Sequence, residues 1–257
     1  MTGLLGKVKA GFDIKVVTGM RIGGSQGGLK IGGVDLNVIT DPLGRPYIPG
    51  SSLKGKLRAL LERKESVRFS DRGTHSCGRA DEYSRCAVCR IFGTLGADEA
   101  ITLTRLTARD AFLFEASLTE DMRDNMDLQY TEVKYETAID RLRGTALRGS
   151  LRQIERVPAG AVFGPGEVVF NVFEQSDKDL LKQVFVAMEL LEDDYLGGMG
   201  SRGYGKVKFE NVKVWWNTAA DYEAGKVDTG QKPPVNGEMD TPVRLVQGFE
   251  TLKARLV

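Results

Sequence analysis

Two stretches of regular hydrophobic periodicity constrain this chain more than any other feature. Residues 7–18 alternate, with Phe12, Ile14 and Val16 on one side and Asp13 and Lys15 on the other, as a half-buried strand does. Residues 177–195 place Leu180, Leu181, Val184, Phe185, Met188 and Leu191 at helical spacing. A second helix is expected from Ser51 or Ser52, either of which can cap it, to about Lys64, with Leu53, Leu57, Leu60 and Leu61 facing inward. Leu103 to Phe114 reads as a strand, and Val168 to Phe173 as a buried strand after a Gly164-Pro165-Gly166 turn. A last strand carries Val207, Phe209, Val212, Val214 and Trp216. The order strand, helix, strand, strand, helix, strand predicts an α+β fold with a ferredoxin-like, RNA-recognition-type core: an antiparallel sheet with two helices on one face. Residues 66–100 and 117–160 lack that periodicity and read as insertions in a main domain of residues 1–216. Residues 217–257, polar and containing Pro233-Pro234, read as a peripheral extension with a short helix near Phe249–Leu256.

The formal net charge is +1, so a nucleic-acid surface would have to come from local segregation of basic residues. No apolar run approaches membrane-spanning length and residues 1–14 lack a signal-peptide core, so a cytoplasmic protein with no membrane partner is expected.

All three cysteines and the only histidine fall within fifteen positions, as His75, Cys77, Cys86 and Cys89. The spacing H-x-C-x8-C-x2-C suits a closed tetrahedral zinc site, because a C-x2-C turn sets two thiolates on one ion. Reduced cytoplasmic thiols and an odd count argue against disulfides. Such a structural Zn²⁺ would order the 66–100 insertion, which has no core of its own. With the histidine bound there, no imidazole is left for acid–base work.

Residues 31–58 combine one carboxylate, Asp35, with turns at Asp41–Gly44 and Pro49-Gly50 and then a cationic helix bearing Lys54, Lys56 and Arg58. Gly50 to Lys56 matches the first seven positions of a Walker A loop, but Leu57 stands where a magnesium-binding hydroxyl belongs. What survives is a helix start, with Ser51 and Ser52, favourable to phosphate. Gly198-Met199-Gly200-Ser201-Arg202-Gly203 matches G-x-G-x-x-G between a helix and a strand, the reverse of a dinucleotide fold. That loop carries Arg202, Tyr204 and Lys206, and the early glycine-rich loop Gly19–Gly33 carries Arg21 and Lys30; both suit a phosphate backbone, with Tyr204 available to stack. The densest cationic run is Arg141, Arg143, Arg148, Arg152 and Arg156, opposed only by Asp140 and Glu155. Arginine's planar fork suits phosphate, so an RNA-contacting hairpin is expected there. Glu132 and Glu136, spaced to share a helix face, are secondary candidates for a metal. By spacing alone, Asp35 would be a turn or capping residue.

Ile48–Gly55, Tyr130–Lys134, Ile139-Asp140-Arg141, Arg152–Arg156 and the Gly197–Lys206 loop, in this order, resemble the RAMP-superfamily backbone subunit of type III-A CRISPR effector (Csm) complexes. The resemblance spans about residues 7–216. It implies copies stacked as a filament along a guide RNA, beside other subunits of the effector complex, each projecting a thumb hairpin that displaces a base. Ile139 to Phe163 matches the thumb. It implies cleavage of complementary target RNA beside each displaced base with a divalent ion, Mg²⁺ or Mn²⁺, and it assigns the cleaving aspartate to Asp35, in Gly33-Val34-Asp35. A cysteine/histidine zinc insertion is similar to that of some members. Relatives often carry histidine where this chain has Arg21. A non-catalytic RNA-binding scaffold is the competing expectation.

Overall fold

The computed structural model describes residues 3–23, 34–71, 73–94, 103–227 and 232–256. In chain order its strands are β1 (Gly6–Val16), β2 (Tyr47–Ile48), β3 (Leu106–Ala108), β4 (Ala111–Phe112), β5 (Glu132–Glu136), β6 (Arg152–Arg156), β7 (Val162–Val172) and β8 (Val207–Thr218). Its helices are α1 (Gly50–Lys64), α2 (Ala80–Arg85), α3 (Ala87–Phe92), α4 (Glu120–Asp124), α5 (Asp177–Glu192), α6 (Ala219–Glu223), α7 (Pro242–Gln247) and α8 (Phe249–Ala254). Four strands make one antiparallel sheet in the order β3-β7-β1-β8. The alternation of β1 sends Val8, Ala10, Phe12, Ile14 and Val16 into the core. Leu53, Leu57, Leu60 and Leu61 of α1 and Leu181, Val184, Phe185, Met188 and Leu191 of α5 join them.

Several expectations are corrected. The run Leu103 to Phe114 is not one strand: β3 pairs with β7, whereas β4 pairs with β2. The chain breaks between them at Asp110, whose Oδ1 accepts the Gly50 amide of α1 at 2.7 Å. That carboxylate takes the helix-end amide expected to face phosphate. Ser51 and Ser52 do not cap α1 either; Pro49 precedes it without a side-chain cap, and both serines lie in its first turn. Gly164-Pro165-Gly166 is not a turn but lies inside β7, where the β1–β7 register shifts between Phe12 and Ile14. A Cβ on Gly166 would lie 2.6 Å from the Phe12 ring, which is why glycine stands there. The β1–β8 register shifts at the same level, between Gly11 and Asp13. The extra residue lets Val207 and Phe209, then Val212, Val214 and Trp216, all point inward, with Asn211 at φ 56°.

The 117–160 segment is a hairpin, β5–β6, with an exposed tip, but its base is not outside the core: Tyr130 and Val157 belong to it. Residues beyond Asn217 are likewise not peripheral, since Leu245, Phe249, Leu252 and Leu256 are buried in the same core. Asn236 anchors that segment to β8, accepting from the Val214 amide and donating to the Val212 carbonyl, each at 2.8 Å.

Candidate functional site

Segment 34–40 runs beside the hairpin as a partial third strand. Leu36 bridges Ile154 of β6 and Val38 bridges Gly23, so three extended segments lie side by side. Asp35 is exposed, and its Oδ2 accepts the Gln153 amide at 2.8 Å. Oδ1 has no protein partner among the described residues. An acid held by one oxygen and open at the other can take a proton or hold a cation. Gly33, Lys30 and the rest of residues 24–33 lie outside the described residues.

Glu155, passed over in the sequence as mere opposition to arginines, fixes this loop. Its Oε2 accepts the Val38 amide at 2.8 Å and its Oε1 accepts the Thr131 hydroxyl at 2.7 Å. Asp140, the other dismissed acid, shapes the hairpin tip by accepting the Leu142 amide at 2.9 Å and the Arg143 amide at 3.2 Å.

Three of the predicted cations, Arg156, Arg202 and Arg21, gather at the hairpin base, joined by Lys134. The Arg156 Nε donates to Glu132 at 2.7 Å, and its guanidinium lies 5.2 Å from the Tyr204 ring centroid. Lys134 Nζ lies 4.5 Å from the same ring, and Arg202 meets Glu136 at 3.4 Å. Arg21 is half-buried, with its Nε lacking a partner among the described residues; burial lowers its pKa, and Glu155 partly offsets this. The Gly198 amide donates to the Arg21 carbonyl at 2.8 Å, so the second glycine loop clamps the first. Tyr204 is the correction here. It is 1% exposed and donates to Glu136 at 2.9 Å, so a base cannot stack on it. Glu132 and Glu136 lie on a strand rather than a helix, each against cations. Although burial opposes ionisation of Glu136, hydrogen bonds from Tyr204 and Lys134 hold its pKa below the ordinary value. Glu136 is held at both oxygens, whereas Glu132 is held at one, by Arg156.

Arg152, on the exposed side of β6, and Arg141, near the tip, have no protein partner among the described residues. Beside Arg141 stands Leu142, at 98% the most exposed large hydrophobic side chain among the described residues and one that charge patterns did not reveal. Thr137 and Ser150 join their hydroxyls at 2.7 Å across the neck of the tip, which is therefore built by its own bonds.

On α1, Ser51 is exposed and Lys54 half-buried, its pKa lowered by burial and then by Arg58. Lys56 is committed elsewhere, pairing with Asp194 at 3.1 Å and lying 3.6 Å from the Tyr195 ring centroid. Arg58 is no free phosphate ligand, since it pairs with Glu62 at 2.7 Å and donates to the carbonyls of Gly93 and His75. The Walker-like residues lie within the helix, so no loop is present to wrap a triphosphate.

The ligand atoms of His75, Cys77, Cys86 and Cys89 all lie within 4.8 Å of one another, so these four side chains could hold a metal ion. His75 Nε2 lies 3.3 Å from Cys86 Sγ and 3.6 Å from Cys77 Sγ. A tetrahedral ion with ordinary zinc bond lengths separates such ligands by about 3.5 Å, so the donor set fits. His75 Nδ1 lies 2.9 Å from the Arg68 carbonyl, which as acceptor fixes the tautomer that points Nε2 inward. Hydrogen bonds from the Cys89 thiol and amide lower the Cys86 pKa to about 4, favouring the thiolate. Residue 72 and residues 95–100 of the expected insertion lie outside the described residues.

A family model described as the RAMP superfamily matches residues 13–208. The chain belongs to the RAMP superfamily. This RAMP chain is 46% identical over 227 residues to a Methanocaldococcus jannaschii protein named CRISPR system Cms endoribonuclease Csm3, covering 87% of this chain and 86% of that one. A Streptococcus thermophilus protein of the same name is 38% identical over 213 residues, covering 81% and 89%. Among solved structures, a chain of a Csm3–Csm4 subcomplex of the type III-A CRISPR-Cas interference complex shares 33% identity at a TM-score of 0.58, covering 96% of this chain and 97% of that one. Methanopyrus kandleri Csm3, at 23% identity and a TM-score of 0.64 over 99% of each chain, bears on the fold alone. Among the described residues no helix is long and apolar enough to cross a membrane.

Proposed function

We propose that this chain is an endoribonuclease of a type III-A CRISPR interference complex, where its copies line a guide RNA in the cytoplasm and cut complementary target RNA at regular intervals. RAMP membership and the endoribonuclease relatives support the activity, and the likeness to the Csm3–Csm4 subcomplex supports the setting. The strand order β3-β7-β1-β8 supports the ferredoxin-like reading of the core. The single observation that carries the proposal is Asp35: an exposed carboxylate held against the very strand that leads from the projecting hairpin.

RNA supplies its own nucleophile, the 2′-hydroxyl. Displacing a base frees the adjoining phosphodiester from A-form geometry, and exposed Leu142 between Arg141 and Arg143 is the natural wedge. Asp35 accepts the 2′-hydroxyl proton or holds the divalent ion. The 2′-oxygen bonds to phosphorus as the bond to the 5′-oxygen breaks, and the 5′-oxygen takes a proton from water, leaving a 2′,3′-cyclic phosphate and a 5′-hydroxyl. Bound Mg²⁺ or Mn²⁺ would supply neutralisation of phosphate charge, and cations at the hairpin base, Arg21 and Arg202 among them, would stabilise the developing charge. Arg152, Arg141, Arg156 and Lys54 would hold RNA backbone. Zn²⁺ on His75, Cys77, Cys86 and Cys89 would be structural, leaving no imidazole for the reaction. An assembled complex given guide, complementary RNA and Mg²⁺ should yield evenly spaced fragments with 5′-hydroxyl ends. A single 2′-deoxy nucleotide at a cut position should abolish that cut alone; cutting that ignores it would contradict this chemistry.

A further inference from the structure

The bonds around Asp35 come from the hairpin. Gln153 holds its carboxylate and the Leu36–Ile154 bridge joins the backbones, with Leu36 N donating to Gln153 O at 3.3 Å and Glu155 N to Leu36 O at 2.9 Å. Glu155 closes the arrangement from the side-chain direction. One oxygen takes Val38 N–H, three residues beyond Asp35, and the other takes the hydroxyl of Thr131, which directly precedes β5. The same carboxylate therefore ties both arms of the hairpin to the far side of the Asp35 loop.

We infer that Glu155 is a positioning residue for cleavage, locking the Asp35 loop to the β5–β6 hairpin so that seating the hairpin and placing the carboxylate are one rigid motion. Two strands joined only by the Leu36–Ile154 bridge could slide or fray; the Val38 tie fixes register beyond it. The consequence is functional. A base-displacing element and a cutting group that travel together restrict cleavage to phosphates beside a seated hairpin. Arg21 offers a different role for Glu155, simple charge balance, since the two interact electrostatically. The two roles separate by chemistry: glutamine keeps an oxygen for Val38 and a donor for Thr131, but carries no charge.

The inference rests on Asp35 being the cutting group, so Asp35→Asn is the control. Assembled complexes carrying Glu155→Ala, Glu155→Gln or Asp35→Asn would be compared for target affinity, single-turnover cleavage at saturating target, and amide exchange over residues 35–38. We expect Glu155→Ala to exchange faster there and to cleave on the order of 10- to 100-fold more slowly, since small misplacements of a catalytic group are costly. Target affinity should stay unchanged, and Glu155→Gln should restore most of the rate. Wild-type cleavage by Glu155→Ala overturns the inference, as does a Glu155→Gln variant as slow as alanine, which would assign the role to charge. If Glu155→Ala does not assemble, Thr131→Val keeps the test, with a several-fold loss expected and no loss overturning it. Cleavage surviving in Asp35→Asn would instead overturn the reading of Asp35 itself.

Discussion

The phenol of Tyr204, buried against Lys134 and Arg156, favours its neutral form: burial first, then the Glu136 carboxylate, push its pKa up to about 12 from an ordinary 10.0. A folded-state pKa raised in this way stabilises the fold fully below the ordinary phenol pKa, and the benefit is lost as pH rises through about 12. Tyr204→Phe should therefore lower stability by about 1 kcal/mol near neutrality and lack this alkaline loss, as denaturant titrations at several pH values would show. Equal alkaline sensitivity in both proteins would be the contrary result. The residue looked like a stacking surface because aromatic and basic residues alternate there; nothing local reported that Glu136, on the hairpin, would draw it inward. Free cations behave differently from paired ones. Arg152→Ala and Arg141→Ala should each reduce the salt dependence of guide binding by about one charge, while Arg58→Ala should act on stability instead. Filter binding across a salt series separates them.

Among the elements, α1 and α5 were legible because their apolar residues recur at helical spacing and each buries that stripe. The apolar residues of β8 were legible too, although the switch from Val207 and Phe209 to Val212, Val214 and Trp216 that marks its bulge was not read as one. The break within 103–114 was not, since it depends on Asp110 meeting Gly50, sixty residues earlier, and no local period encodes such a meeting. The clustering of His75, Cys77, Cys86 and Cys89 was read from spacing alone, but the attachment of their loop was not. Arg58 donates to the His75 carbonyl, and Arg90 of α3 joins Arg105 at the buried Asp177 that starts α5. These charges are compensated in place, so a loosened loop would leave Asp177 and Arg105 short of a partner. Elemental analysis should find one zinc per chain, and Cys86→Ser should lose the metal and lower the melting temperature. Metal-free wild-type protein of unchanged melting temperature would contradict a structural role.

At the scale of the molecule, the central sheet was legible from its strand order, whereas the role of the C-terminal segment was hidden by polar composition. Leu245 of α7, Phe249 and Leu252 of α8 and Leu256 just beyond it are too few and too spread to announce burial, yet all four are buried against the core that α5 shares. Leu252→Ala should cost about 2–5 kcal/mol, measured by equilibrium unfolding, where a surface leucine would cost little. Along with this core goes the placement of the Asp35 site: the chain runs from the hairpin straight into the sheet at β7, and the hairpin holds the Asp35 loop. The most direct test is Asp35→Ala in a complex assembled with guide RNA, given labelled complementary RNA and Mg²⁺. We expect assembly and target binding to match wild type while evenly spaced cleavage disappears. Undiminished cleavage by that complex would contradict the assignment of Asp35 as the cutting group.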